Sequence, residues 1–546
     1  MAASFLGHAF ANSFEHLLTS GNGNYILQLN HTTCIKHFVP RFIEGAFQIF
    51  NHSSHPHWHL FEKSSTRISR RDTGDDQVHV FDAYDFGSSF KAISVHFNHL
   101  NIVQNLLTSF TDDIIKFIPD EDIEFDLSST SGKTSMRSKR VESNHRRKRI
   151  GNFDFDSFEH DTNCPFKHPN DEHTSSQLGY AHSNKVLDSI SNNSALIIKN
   201  QSSKKTSTRK APTSKTSKNK TNSKKKSTTK KGPVKKMSSN SKKKPASSKK
   251  VYLKQTKAQW NLARISERKR SLSKPYIYTD GAGSGTYVYV IDDGLNTGHV
   301  EFGGRAKWGW SAYSDTSKLG EGHGTHVAGI IGSKTYGVAK KANLIAVQVL
   351  NDEGVGSVSS LLAGLQWVTK DVKTHALKGK AIINMSLGVR KSETSNTAIK
   401  ALNSAITAVV DDGVPLIAAA GNWNSDACDV LPASNPNVFA VAASDKNDKM
   451  ASYSCWGKCV QLLAPGDNIK STFIKSKTST TTMSGTSMAA PHVAGVAALL
   501  IKSLDNPTPA NLYKELVKDA TRQIVSSVRR STPNLLLYNG QELTST

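Results

Sequence analysis

The C-terminal half of this chain predicts an α/β fold, and three observations carry that expectation. The run Thr286-Tyr287-Val288-Tyr289-Val290-Ile291 has the apolar continuity of a buried strand and ends in two carboxylates, Asp292 and Asp293. A second buried-type strand, Pro415 to Ala420, ends in Gly421 and Asn422. Two runs of small apolar residues read as close-packed helices, one opening at His323 and one from Met488 to Lys502. Polar groups at the carboxyl ends of strands lie where open α/β sheets build their sites.

From the N-terminus, residues 1–21 are a leader of unclear type. Met1 to Ala11 lacks a basic start, and its short apolar stretch is broken by His8, which makes it a poor signal peptide. Residues 22–127 read as a first folded α+β unit, with strands at Asn24–Leu29, Phe90–Phe97 and Ile114–Pro119 and a helix near Ile102–Leu107. Within it, Asn51 to His59 carries four histidines. They could bind a metal or sense acid, but clustered histidines in a loop are more often simply solvated.

Residues 128–250 become rich in Ser, Thr, Asn and Lys, and from Lys204 to Lys250 there are 18 Lys and Arg209 with no acidic residue. Such a stretch cannot bury enough apolar surface to fold and is expected to be disordered. Setting these 19 charges aside lowers the net charge from +25 to +6, so the basic balance belongs mainly to the linker. A spacer is the preferred reading of it over a polyanion-binding tail. Arg146 to Arg149 and Lys139-Arg140 offer processing sites for an enzyme specific for basic residues. No apolar run approaches membrane-spanning length.

Residues 251–546 hold the chemistry. Gly485-Thr486-Ser487-Met488-Ala489-Ala490-Pro491 puts a hydroxyl at the doorway of a helix, with Pro491 expected in the first turn, where it forfeits no N–H partner. The Ser487 N–H is then an orphan donor at a positive helix end, suited to a developing oxyanion. A serine hydroxyl alone is a weak nucleophile and needs a base and a group that orients the base. His323, flanked by Gly322 and Gly324, and Asp292 supply both, in the chain order acid, imidazole, hydroxyl. Taken singly, each has a plainer reading as an N-cap, a core histidine or a turn aspartate. Their joint occurrence favours chemistry. His326 and His492, about a turn into their helices, are read as structural.

Val290-Ile291-Asp292-Asp293-Gly294, Gly322-His323-Gly324-Thr325-His326-Val327-Ala328-Gly329, Ala419-Ala420-Gly421-Asn422 and the Ser487 motif, all in register, resemble the subtilisin-like serine proteases of the proteinase K and fungal cerevisin branch. The resemblance covers residues 256 to about 540. It implies a three-layer subtilisin-like fold with a mainly parallel sheet, and a serine endopeptidase with Ser487 as nucleophile, His323 as general base, Asp292 as orienting carboxylate and Asn422 as oxyanion donor. Gly354, Val355 and Gly356 on one side, and Ser386, Leu387 and Gly388 on the other, resemble the segments that flank an extended peptide. Ala419, Ala420 and Gly421 with Leu387 suggest an apolar first pocket, while Val389, Arg390 and Lys391 stand where relatives often have glycines. Asp293 replaces the usual Thr or Ser, so a second carboxylate beside the histidine bears on its pKa.

By the same resemblance, residues 22–127 are an inhibitor-type propeptide that makes the protein a zymogen. Five cysteines leave at least one unpaired. The resemblance pairs Cys428 with Cys459, leaving Cys34, Cys164 and Cys455 as unpaired. No cofactor is expected, and a family calcium site is weakened by the neutral Gln461. Expected partners are polypeptide substrates, the chain's own propeptide and, through the linker, a polyanion, with the protein a monomer. The implied compartment is the secretory route, vacuolar or extracellular, with Asn30-His31-Thr32 and Asn51-His52-Ser53 as glycosylation acceptors. The rival reading is a catalytically silent polyanion-binding protein.

Overall fold

The computed structural model describes residues 23–54, 78–97, 103–124, 251–271, 273–313 and 319–541. The leader, the basic linker, Cys164, the basic processing sites and His55 to His59 lie outside these residues. All described residues belong to one compact unit.

Its N-terminal subdomain is α+β. Strands β1 (Asn24–Leu29), β2 (Val78–Asp85), β3 (Lys91–Phe97) and β4 (Ile114–Pro119) form an antiparallel sheet in the order β2-β3-β1-β4, and a short strand β5 (Asp122–Glu124) follows. Helices α1 (Ile35–Ser54) and α2 (Val103–Ser109) cover one face of the sheet. Helix α1 departs from the expected elements, because Pro40 interrupts its pattern; the residue lies on the exposed side, while Ile35, Phe38, Val39, Phe42 and Ala46 bury the other. Asn51 to Ser54, read as loop, close this helix. Period-two alternation then divides the sheet: Tyr25, Leu27 and Leu29 pack on the helices, whereas Ile26 and Ile118 join the core of the C-terminal subdomain.

The C-terminal subdomain is built on nine strands: β6 (Tyr287–Asp292), β7 (Ala306–Ser311), β8 (Asn343–Gln348), β10 (Ala381–Met385), β11 (Leu416–Ala419), β12 (Phe439–Ser444), β13 (Val460–Pro465), β14 (Thr521–Arg522) and β15 (Leu535–Leu536), with β9 (Val355–Ser357) outside the sheet. Their order is β14-β15-β13-β12-β11-β10-β6-β8-β7, parallel throughout except for the β14–β15 edge. This is the expected α/β architecture of three layers. Val288 and Val290 face helices α3 (His323–Gly332), α6 (Thr486–Leu500) and α7 (Pro509–Asp519), while Tyr289 and Ile291 face α4 (Val358–Thr374) and α5 (Asn396–Asp411). Both faces being covered is why β6 reads as unbroken apolar sequence. Helix α6 is buried on nearly every side, and its alanines and Gly495 permit that, since a Cβ at Gly495 would lie 2.5 Å from Val338.

Cys428 and Cys459 are joined, with Cα atoms 5.3 Å apart. Cys34, expected to be unpaired, is disulfide-bonded, and Cys455 is a buried free thiol. The correction has a simple origin: cysteine counting sets parity, not which residues meet. Among the described residues no helix is long and apolar enough to cross a membrane.

Candidate active site

Strands β6, β10 and β11 run parallel, so their carboxyl ends deliver Asp292, Ser386 and Asn422 to one edge of the sheet. Asp292 and His323 are both almost fully buried, and the His323 ring meets the Asp292 carboxylate through Nδ1, at 2.8 Å from Oδ1 and 3.0 Å from Oδ2. A carboxylate on Nδ1 selects the tautomer that leaves Nε2 as the basic nitrogen. His323 is the first residue of α3, and α3 packs against α6, whose second residue is Ser487.

The Ser487 hydroxyl donates to the Ser386 carbonyl at 2.9 Å, and the Ser386 hydroxyl donates back to the Ser487 carbonyl at 2.8 Å. Pro491 explains the second bond. It lies in the second turn of α6, not the first as expected, so it withholds the N–H that would take the Ser487 carbonyl four residues earlier. Ser386, 101 residues away in sequence, supplies the missing donor. The spacing from Ser487 to Pro491 was the available signal, but its partner could not be read from it.

Asn422 accepts through Oδ1 from the Thr486 N–H at 2.8 Å and from the Thr486 hydroxyl at 2.9 Å. Committing the oxygen there fixes which end of the amide remains to donate. The walls expected for an apolar pocket are buried: Leu387, Ala419 and Ala420 are each at most 2% exposed. Beyond them Val389 and Arg390 pair with Leu431 and Val430, Lys391 Nζ donates to the Cys428 carbonyl at 2.7 Å, and the Arg390 guanidinium lies 5.5 Å from the Trp423 ring centre.

Gly354, Val355 and Gly356 lie in and beside β9, which is already paired. Antiparallel β5 lies along it with Val355 opposite Glu124, Gly356 opposite Ile123 and Ser357 opposite Asp122. Just upstream, Asp120 accepts from the Ser359 N–H at 2.9 Å and the Ser359 hydroxyl at 2.6 Å, and Glu121 accepts from the Ser395 N–H at 3.1 Å. These two carboxylates thus sit at the N-termini of α4 and α5, where helix dipoles favour negative charge. The sequence reading did not single them out.

His326 and His492 are buried and neutral, burial pushing them down to about 3 and about 4. His326 donates to the Ile469 carbonyl, and His492 donates to the Met488 carbonyl while accepting from Asn261. Gln461 Oε1 accepts from the Ala440 N–H. Among the described residues no three His, Cys, Asp or Glu side chains group as a metal site.

Residues 283–536 match the model of the subtilase family. The cuticle-degrading protease of Metarhizium anisopliae is 46% identical over 286 residues, which span 52% of this chain and 71% of that protein. Cerevisin of Saccharomyces cerevisiae is 43% identical over 308 residues, spanning 52% of this chain and 47% of its own length. A solved cold adapted subtilisin-like serine proteinase is 41% identical, with a TM-score of 0.47 and coverage of 52% of this chain and 99% of its own.

Proposed function

From the premise that the chain belongs to the subtilase family and is a serine endopeptidase acting on polypeptides, we propose that Ser487, His323 and Asp292 carry out the hydrolysis. The Ser487 oxygen attacks the scissile carbonyl carbon as its proton passes to His323 Nε2, and the carbonyl π electrons move to oxygen. Collapse of that oxyanion expels the amine, which takes the proton from His323 and leaves an acyl-enzyme. Water, deprotonated by His323, then releases the acid. Asp292 holds the tautomer throughout, while the Ser487 N–H and the Asn422 amide donate to the oxyanion.

The observation that carries this reading is the pairing of His323 Nδ1 with Asp292, on a helix packed against the one that opens with Ser487. An active-site-directed fluorophosphonate tests it. Labelling of the wild type and none of Ser487→Ala is the expected result; equal labelling of both rejects Ser487 as the nucleophile. The rival reading of a silent polyanion binder finds no support among the relatives, which are named as proteases.

The N-terminal subdomain is proposed as an intramolecular inhibitor. Support comes from β5, which uses the backbone of β9 that an extended substrate would use, and from the Asp120 and Glu121 caps that anchor it. The buried alanine and leucine walls favour apolar or aromatic side chains in the first pocket, with Arg390 and Trp423 at its rim. Bonded Cys34, Cys428 and Cys459 suit an oxidising compartment, and we assign the protein to the secretory route.

A further inference from the structure

Asp293 is a second carboxylate beside the proposed dyad, and the mechanism above gives it no task. It is 1% exposed, and its two oxygens take three consecutive N–H groups. Oδ2 accepts from Gly322 and His323 at 3.0 Å each, and Oδ1 accepts from Gly324 at 2.7 Å. These groups are the open donors of the first turn of α3, whose N-cap, Gly322, has no side chain to satisfy them. The cap therefore comes from a strand end about thirty residues earlier.

Everything around Asp293 keeps it there. A Cβ on Gly320 would approach its carboxylate to 2.6 Å, and one on Gly324 would meet its Oδ1 at 2.8 Å. Its carbonyl accepts from the Gly320 N–H and from Gln348 Nε2, both at 3.2 Å, and Gln348 is itself held by the Ser311 hydroxyl at 2.7 Å. Consecutive residues of one strand end thus hold one helix end twice, Asp292 by the His323 ring and Asp293 by the His323 backbone.

We propose that Asp293 is a positioning residue whose ionised carboxylate clamps the first turn of α3 and thereby aims the His323 ring at Asp292. The inference rests on the roles proposed above for those two residues. Among the described residues, the charged or titratable groups facing Asp293 are Asp292 on its own strand and His323 on the helix, while Gln348 and Ser311 on the neighbouring strands are neutral. Burial and the charge of Asp292 push the Asp293 carboxyl up to about 7, against the opposing pull of His323 and the N–H donors. The anionic clamp is therefore present above that value and lost as pH falls through it.

Active enzyme recovered from the full-length chain provides the test, as kcat and KM on a peptide amide measured against pH. In the wild type the acid limb of kcat/KM should carry about two protons, one on His323 and one on Asp293. Asp293→Asn should reduce the limb to about one proton and move it about one pH unit lower, because a negative charge beside the imidazole is gone. At pH 8 its kcat should fall about ten- to a hundredfold with KM little changed, the signature of a misaimed base. An unchanged kcat at pH 8 in Asp293→Asn, or in Asp293→Ser if the amide variant does not fold, overturns the proposal. So does an Asp293→Asn profile that superimposes on the wild type after scaling. Fluorophosphonate labelling of the wild type, run alongside, separates failure of the clamp from failure of the Ser487 assignment.

Discussion

Helices α3 and α6 both begin beside the site, yet their open N-termini are used in opposite ways. At α3 one carboxylate saturates the first turn, taking the N–H groups of Gly322, His323 and Gly324. At α6 the neutral oxygen of Asn422 takes the Thr486 N–H and hydroxyl, and in the proposed mechanism the Ser487 N–H donates to the reacting oxygen. On the roles proposed above, the first end is closed to hold a base still. In the proposed mechanism the second holds charge that exists only in the transition state, which is what differential binding requires. A third case is α4, where the chain's own N-cap Ser357 takes the Ser360 N–H and Asp120 from the N-terminal subdomain takes the Ser359 N–H and hydroxyl, a contact that leaves if that subdomain does.

The comparison breaks most severely at Asn422. Asn422→Ala removes a donor from the open end, and kcat should fall on the order of a hundred- to a thousandfold with KM nearly unchanged. Steady-state kinetics that show the loss mainly in KM would mean that the amide binds ground-state substrate instead.

Next in size is the exchange between Ser386 and Pro491. Ser386→Ala leaves the Ser487 carbonyl buried without a donor, which should cost about 1–3 kcal/mol of stability. Pro491→Ala restores an N–H four residues on, so the double variant should recover part of that loss in thermal or urea unfolding. Strict additivity would show that the two residues do not serve the same carbonyl.

The smallest effect is expected at the borrowed cap. Asp120→Ala should weaken docking of the N-terminal subdomain by about 1 kcal/mol, the usual worth of a helix cap. The full-length chain should then become accessible to the fluorophosphonate severalfold faster. An unchanged labelling rate would remove Asp120 from the proposed inhibitory contact.

Much of the architecture could be read directly from residue order. Unbroken apolar runs identified β6 and β11 as strands covered on both faces, and small-residue runs identified α3 and α6, because burial on all sides leaves no polar alternation to find. Helix α1 escaped notice, since Pro40 argues against a helix locally and only the fold shows that its missing N–H faces outward. Asp292, His323, Ser487 and Asn422 were read as a set of motifs in order, and the fold adds the contacts of Asp292 with His323 and of Asn422 with Thr486.

What residue order alone determined was which segments would be buried and which polar groups would stand at their ends, because periodicity and turn chemistry act over a few neighbours. Only the tertiary structure decided which of those groups meet. Asp293 reaches the backbone of α3, and Ser386 reaches the carbonyl that Pro491 abandons, because parallel strand register brings the ends of β6 and β10 to the starts of two packed helices. Hydrogen bonds of that kind depend on distances of a few tenths of an ångström between segments far apart in the chain, and no local pattern encodes them.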